Sequence, residues 1–76
     1  MSISYWRQKA ENADKKVMHY FNKVRIYEKK CNNNKTKYNE RMLTYHKKKL
    51  FKWQQKQRYS IKKLQTASQD YARGKV

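Results

Sequence analysis

Tyrosine and basic side chains recur at regular intervals through the second half of the chain. At successive spacings of three or four residues, the pattern runs through Tyr38, Arg41, Tyr45, Lys48, Lys52, Lys56, Tyr59 and Lys63. Such spacings place side chains on one side of a helix. Lysine and arginine neutralise phosphates and release condensed counterions, while an exposed tyrosine ring stacks on an unpaired base. We call these eight residues the ridge, and they predict a nucleic-acid-binding surface.

The overall charge bears on what the ridge does. The same residues would suit a solvated helix face on which tyrosine rings cover lysine stems. However, 21 Lys or Arg against 5 Asp or Glu give 76 residues a net charge of +16, and from Lys35 to Lys63 there are 11 basic residues and one acid, Glu40. This charge opposes compaction by self-repulsion and attracts polyanions. We therefore favour binding over a merely solvated face.

Other site chemistries are poorly represented. His19 and His46 are far apart in sequence, and Cys31 is the single cysteine, so no zinc-binding spacing and no intrachain disulfide exist. Neither a glycine-rich phosphate loop nor a paired-carboxylate motif is present. His46 shares a face with Leu43 and Leu50, so we expect an interface histidine. We predict a non-enzymatic protein with no catalytic residues, metal or cofactor.

Helix is the expected structure of the first half. The chain has no proline, and its single glycine is Gly74, so neither strong helix breaker occurs earlier. Alternating spacings of four and three describe an apolar stripe through Trp6, Ala10, Ala13, Val17, Tyr20, Val24, Tyr27 and Cys31. We expect Phe21 to widen this stripe. The stripe and the ridge both leave out Lys9, Lys15, Lys16, Lys23 and Lys30.

The second half carries a stripe in a different register. Spacings of three and four connect Leu43, His46, Leu50, Trp53, Gln57, Ser60, Leu64, Ala67 and Tyr71, with Ile61 adjoining. A break between the halves explains the change of register, and residues 32–36 contain three asparagines, which favour turns. Thr36 is placed to cap helix two, with Glu40 in its first turn.

The sequence therefore predicts an all-α protein that forms a two-helix hairpin within one small domain, residues 1–76. Helix one is expected at about 4–31, an Asn-rich turn at 32–36 and helix two at about 36–72. One long bent helix is the alternative, and a coiled-coil-like homodimer would use the same stripes. The expected helix interface comprises Trp6, Val17, Tyr20, Val24, Leu43, Leu50, Trp53 and Leu64.

The expected location follows from what the sequence lacks. No apolar run approaches the roughly 20 residues that cross a bilayer, and the first residues do not resemble a signal sequence. We expect a protein that is neither secreted nor transmembrane, and that works in the cytoplasm, in the nucleus or within a virus particle. Membrane-surface binding is disfavoured because Gln57 and Ser60 interrupt the apolar stripe of helix two.

The functional expectation is a basic helical protein that binds nucleic acid within a larger assembly, such as a ribonucleoprotein or virus particle. RNA is slightly preferred over DNA, because the tyrosines suit splayed bases. Lysine outnumbers arginine 16 to 5, so bidentate reading of base edges is sparse and sequence specificity should be low. The alternative is a helical interaction or scaffold protein, such as a minor capsid component, that docks an acidic protein surface.

Overall fold

The computed structural model describes residues 3–74, and over that range it contains two helices and no strand. Helix α1 spans Ile3–Asn33 and helix α2 spans Lys37–Ala72. They run antiparallel, because Trp6 contacts Tyr59 far from the turn whereas Tyr27 contacts His46 nearer to it. The predicted all-α hairpin is confirmed, and the single bent helix is wrong.

Residues 34–36 connect the helices. Thr36 caps α2 as predicted: its Oγ1 accepts a hydrogen bond from the backbone N–H of Asn39 (3.1 Å), and its carbonyl accepts from the N–H of Glu40 (3.0 Å). The Asn39 side chain donates to the carbonyl of Asn34 across the turn (2.9 Å). A threonine cap of this kind contributes about 1 kcal/mol of stability. Because its partners are only three and four residues away, the start of α2 is determined by neighbouring residues.

Helix α1 continues two residues beyond the predicted end at residue 31. Asn33 is its last residue, and the backbone N–H of Asn34 still donates to the carbonyl of Lys30 at 2.7 Å. Asparagine is a poor helix former, but its cost relative to alanine is only about 0.7 kcal/mol per residue. The additional helical hydrogen bonds offset that cost, so the connection between the helices is shorter than the predicted residues 32–36.

Helix α2 ends as the sequence predicts. Its last residue is Ala72, and the backbone N–H of Arg73 donates to the carbonyl of Gln69 at 3.0 Å. Gly74 follows with a φ of 71°. Glycine adopts this left-handed conformation without the steric cost that a Cβ atom imposes, so the chain's single glycine lies where the helix stops.

The two apolar stripes pack against each other along the hairpin. The expected interface residues are all buried or half-buried, namely Trp6, Val17, Tyr20, Val24, Leu43, Leu50, Trp53 and Leu64. Alanines are more enclosed than the rings: Ala13 is 2 % exposed, and Ala10 is also buried. Because interaxial distance depends on the side chains at the contact, these alanines let the helices approach closely while larger residues pack around them.

The seam between the helices is narrower than the sequence predicts. Phe21 is 48 % exposed and Ile61 is 40 % exposed, so neither widens the stripe beside it. Each follows a seam residue by one position, which turns the side chain about 100° around the helix. With one partner helix, only a narrow stripe is covered. The side chain of Tyr71, also assigned to the second stripe, lies outside the described part.

Polar groups take part in the seam. The side-chain amide of Gln57 donates to Asp14 Oδ1 at 2.6 Å and links the two helices. Ser60, three residues after Gln57, is buried in the seam. Within the described residues, no buried side-chain nitrogen or oxygen lacks a hydrogen-bond partner. A link between fixed positions on two helices favours one alignment over its neighbours, so it helps to set which residues of α1 and α2 meet.

The hairpin is a thin rod with Cα extents of 57 × 13 × 13 Å. Its buried hydrophobic residues, among those described, are Ala10, Ala13 and Val24. Within residues 3–74, neither helix has an apolar stretch long enough to cross a membrane. Two helices side by side bury few side chains and leave most of them exposed to solvent. Most of the side chains that could bind a ligand are therefore on the surface.

Candidate nucleic-acid interface

All eight ridge residues lie on α2 with exposed side chains. The three tyrosines among them are the notable members, since a phenol ring is usually at least half-buried. Tyr59, for example, is 56 % exposed. The exposed residues are Tyr38, Arg41, Tyr45, Lys48, Lys52, Lys56, Tyr59 and Lys63. The ridge therefore presents both cationic groups and ring faces to solvent.

Lysine ammonium groups of α2 lie over aromatic rings of the same helix. The distances from Nζ to the ring centroid are 4.5 Å for Lys56 over Trp53, 5.5 Å for Lys63 over Tyr59 and 5.7 Å for Lys49 over Tyr45. Separations under about 6 Å allow cation–π attraction. These contacts place charge and ring face next to each other, and they add Lys49, which the sequence pattern did not include.

Helix α1 supplies lysines of the same kind. Nζ of Lys9 lies 5.6 Å from the Tyr5 ring, Nζ of Lys16 lies 5.9 Å from the Trp53 ring and Nζ of Lys30 lies 4.9 Å from the Tyr27 ring. Lys16 and Lys56 thus approach one tryptophan from different helices. The spacing pattern left Lys16 out of both the stripe and the ridge, yet its ammonium group reaches a ring of α2 across the seam.

A spacing in the sequence could have indicated this. Lys9, Lys16, Lys23 and Lys30 recur every seven residues, and seven residues are close to two full turns of helix. They therefore follow one side of α1, next to its apolar stripe. We use the term basic face for the ridge together with these four lysines and Lys49. Lys15, one residue from Lys16, lies outside the basic face.

The acids of α1 lie away from the basic face. Glu11, Asp14 and Glu28 are each two residues from a lysine of the seven-residue series, which corresponds to about 160° around the helix. On α2, Glu40 Oε1 is 3.6 Å from Lys35 Nζ, near the turn. Five acids cannot neutralise 21 bases, and those of α1 are directed away from this surface, so its positive potential is largely uncompensated.

An open groove between the helices joins the two parts of the basic face. Its volume is about 580 Å³, and residues from α1 and α2 line it, including Lys9, Lys52 and Lys56. Four aromatic residues, Tyr5, Trp6, Trp53 and Tyr59, also line it. The Trp6 ring meets the Tyr59 ring nearly edge to face at 5.8 Å and 74°. The groove thus combines several ring faces with three ammonium groups.

His46 lies in the seam rather than on the basic face. It is buried, its ring stacks on Tyr27 at 5.2 Å and 15°, and its Nδ1 is 2.7 Å from the carbonyl oxygen of Met42. Since a carbonyl only accepts, Nδ1–H donates in this hydrogen bond. These contacts agree with the predicted interface histidine. Within residues 3–74, no three His, Cys, Asp or Glu residues are grouped as metal ligands would be.

Comparisons with protein-family models, with curated proteins and with solved structures find no match for this chain. Its function must therefore be argued from the basic face itself.

Proposed function

We propose that this chain is a non-enzymatic nucleic-acid-binding protein whose basic face lies along a single-stranded segment. The observation that carries the proposal is the combination, on one side of a two-helix rod, of exposed tyrosine rings with lysines from both helices. A net charge of +16 supplies the long-range attraction. The 57 Å length gives an extended strand room for several contacts.

Binding on this surface has two physical components. Each lysine that meets a phosphate releases counterions, which drives association and makes it sensitive to salt. Each exposed ring that accepts a base adds about 1 to 3 kcal/mol, and this component tolerates any base because all bases have a π-face. A surface dominated by lysine rather than arginine makes few bidentate contacts with base edges. The proposed protein therefore binds with little sequence specificity.

Single strands are favoured because stacking requires unpaired bases, and RNA is slightly preferred because its loops and bulges expose them. A rod with such a small core suits a component of a larger assembly better than an independent unit. We propose a ribonucleoprotein or virus particle as that assembly, with other proteins as neighbours.

A second candidate, a protein-docking or scaffold role, is favoured by one observation. Apolar side chains away from the seam are strongly exposed: Met18 is 67 % and Phe51 is 62 % exposed. Phe21 and Ile61 are exposed as well. Docking through such groups depends on apolar burial and persists in high salt, whereas phosphate binding weakens steeply.

Titration of labelled single-stranded RNA, single-stranded DNA and duplex DNA at several salt concentrations tests the proposal. We expect single strands to bind more tightly than duplex, and the logarithm of the binding constant to fall linearly with the logarithm of salt concentration. Binding that is absent at low salt, or that does not change with salt, would contradict nucleic-acid binding through the basic face.

A further inference from the structure

The groove between α1 and α2 differs from the rest of the basic face in its density of rings. It is lined by both tryptophans of the chain, Trp6 and Trp53, together with Tyr5 and Tyr59. By contrast, the groove along the outside of α2 near Arg41 has one ring, that of Tyr45, and also the carboxylate of Glu40. A groove near Ile26 on α1 has no aromatic lining.

The rings meet edge to face rather than stacking face to face. Tyr5 meets Trp6 nearly edge to face at 5.0 Å and 84°, and Trp6 meets Tyr59 in a similar way. Edge-to-face packing leaves the face of one ring of each pair uncovered by the other. Tyr5 and Tyr59 are both exposed. The groove is therefore lined by rings at nearly right angles to one another and is open to solvent, unlike a closed apolar core.

Lysine ammonium groups lie over these rings. Lys9 lies over Tyr5, Lys56 lies over Trp53 and Lys63 lies over Tyr59. A lysine side chain has several rotatable bonds and little to hold it at an exposed ring. Its ammonium group can leave the ring for a phosphate a few ångströms away, and the vacated face then accepts a flat group.

From this geometry we infer that the groove holds one unpaired nucleobase of a single-stranded nucleic acid, stacked on the ring of Tyr59, with the flanking phosphates on Lys9, Lys52 and Lys56. The inference rests on the proposed function and names its base-binding subsite. A volume of about 580 Å³ lies within the range of sites that bind small organic groups. Charge complementarity selects a nucleotide over an uncharged aromatic ligand.

Because both tryptophans line the groove, tryptophan fluorescence reports on it directly. We would compare an oligouridylate of about ten nucleotides, a length within known single-strand site sizes, with inorganic polyphosphate of similar charge. Both should bind. The oligouridylate should quench tryptophan emission through stacking, whereas polyphosphate, which has no bases, should quench little.

Variants localise the effect. Tyr59→Leu should weaken oligouridylate binding by about 5- to 150-fold, which corresponds to the loss of one stacked base, and should leave polyphosphate binding unchanged. Tyr59→Phe keeps the ring and should retain affinity and quenching. Phe51→Leu removes an exposed ring of the same helix that lies outside both the groove and the basic face, and it is the matched control. Circular dichroism checks that each variant keeps its helices.

The outcomes separate the inference from the proposed function. If both ligands bind and quench equally, or if Phe51→Leu and Tyr59→Leu lose equal affinity, the groove is not the base-binding subsite, although polyanion binding stands. If neither ligand binds, the proposed function itself is overturned. Selective quenching by the oligouridylate that Tyr59→Leu removes would support the inference.

Discussion

Because the rod is only two helices thick, a single side chain can contact the other helix and still be exposed to solvent. Tyr59 contacts Trp6 across the seam yet keeps 56 % of its surface exposed. Its exposure is predictable from the ridge spacing, since Tyr38, Tyr45 and Tyr59 follow one another at intervals of seven and fourteen residues. Its contact with helix α1 is not, because that depends on which residues of the two helices align. The seven-residue spacing of the α1 lysines places Lys16 beside the seam, but its pairing with Trp53 depends on the same alignment.

The contributions of base stacking and of charge to binding affinity can be measured separately by side-chain substitution. Replacing Tyr45 and Tyr59 together by leucine removes two rings and no charge. We expect affinity for a long single strand to fall by about 2 to 6 kcal/mol in total, with the salt slope nearly unchanged, because stacking releases no counterions. Filter binding across a salt series measures both quantities.

The corresponding double replacement by phenylalanine is the control, since it removes the hydroxyls but keeps the rings. It should bind almost as the parent protein does. If the leucine variant loses slope and no affinity at low salt, these tyrosines do not stack on bases.

The helices are the scale at which the sequence is most informative. Both stripes follow the spacing of a helical seam, and the capping hydrogen bond of Thr36 is local, so the hairpin could be predicted. The sequence overestimates the width of the buried seam, because Phe21 and Ile61 beside it are exposed. Apolar character predicts a tendency to be buried, but a single partner helix covers only what faces it.

Neighbouring residues on each helix provide a matched test of the seam. Val17→Asp and Leu50→Asp each place a charge at a half-buried position where the helices meet, and each should cost several kcal/mol of hairpin stability. Thermal melting followed by circular dichroism measures the loss.

The controls are Met18→Asp and Phe51→Asp, each one residue along and strongly exposed. They add the same charge outside the seam and should change stability by about 0.5 kcal/mol or less. Equal destabilisation by seam and control variants would mean that the stripes do not form the core described above.

At the scale of the whole molecule, charge and core size oppose each other. The buried hydrophobic residues among those described are two alanines and a valine, while the chain carries +16. Small cores contribute only a few kcal/mol, and self-repulsion among the bases subtracts from this. Composition makes this balance predictable, since Leu, Ile, Val and Phe total only 11 residues. A ligand that binds only the folded state shifts the balance towards it.

Helix content should therefore depend on anions. Circular dichroism of the nucleic-acid-free protein at low salt should show partial helix that increases when single-stranded RNA or sulfate is added. Both relieve repulsion, and RNA also binds the folded basic face. Full helicity with cooperative melting in the absence of added anion, in a protein shown to be monomeric, would contradict this expectation.

The central claim, that phosphates meet one face built from both helices, is tested most directly by two matched charge-removal variants. The first changes Lys9, Lys16, Lys52 and Lys56 to glutamine; all four are exposed and belong to the basic face. The second changes Lys15, Lys29, Lys47 and Lys62 to glutamine. These are also exposed, two on each helix, but lie about 80° to 180° around their helices from the first set.

The measurement is the salt slope of single-stranded RNA binding for the parent protein and both variants. Removing four phosphate contacts should lower the slope by about 3 in the first variant, at roughly 0.7 to 0.9 per contact, and by less than about 1 in the second. Equal losses in the two variants would contradict a localised face and would show that the chain binds as a diffuse polycation.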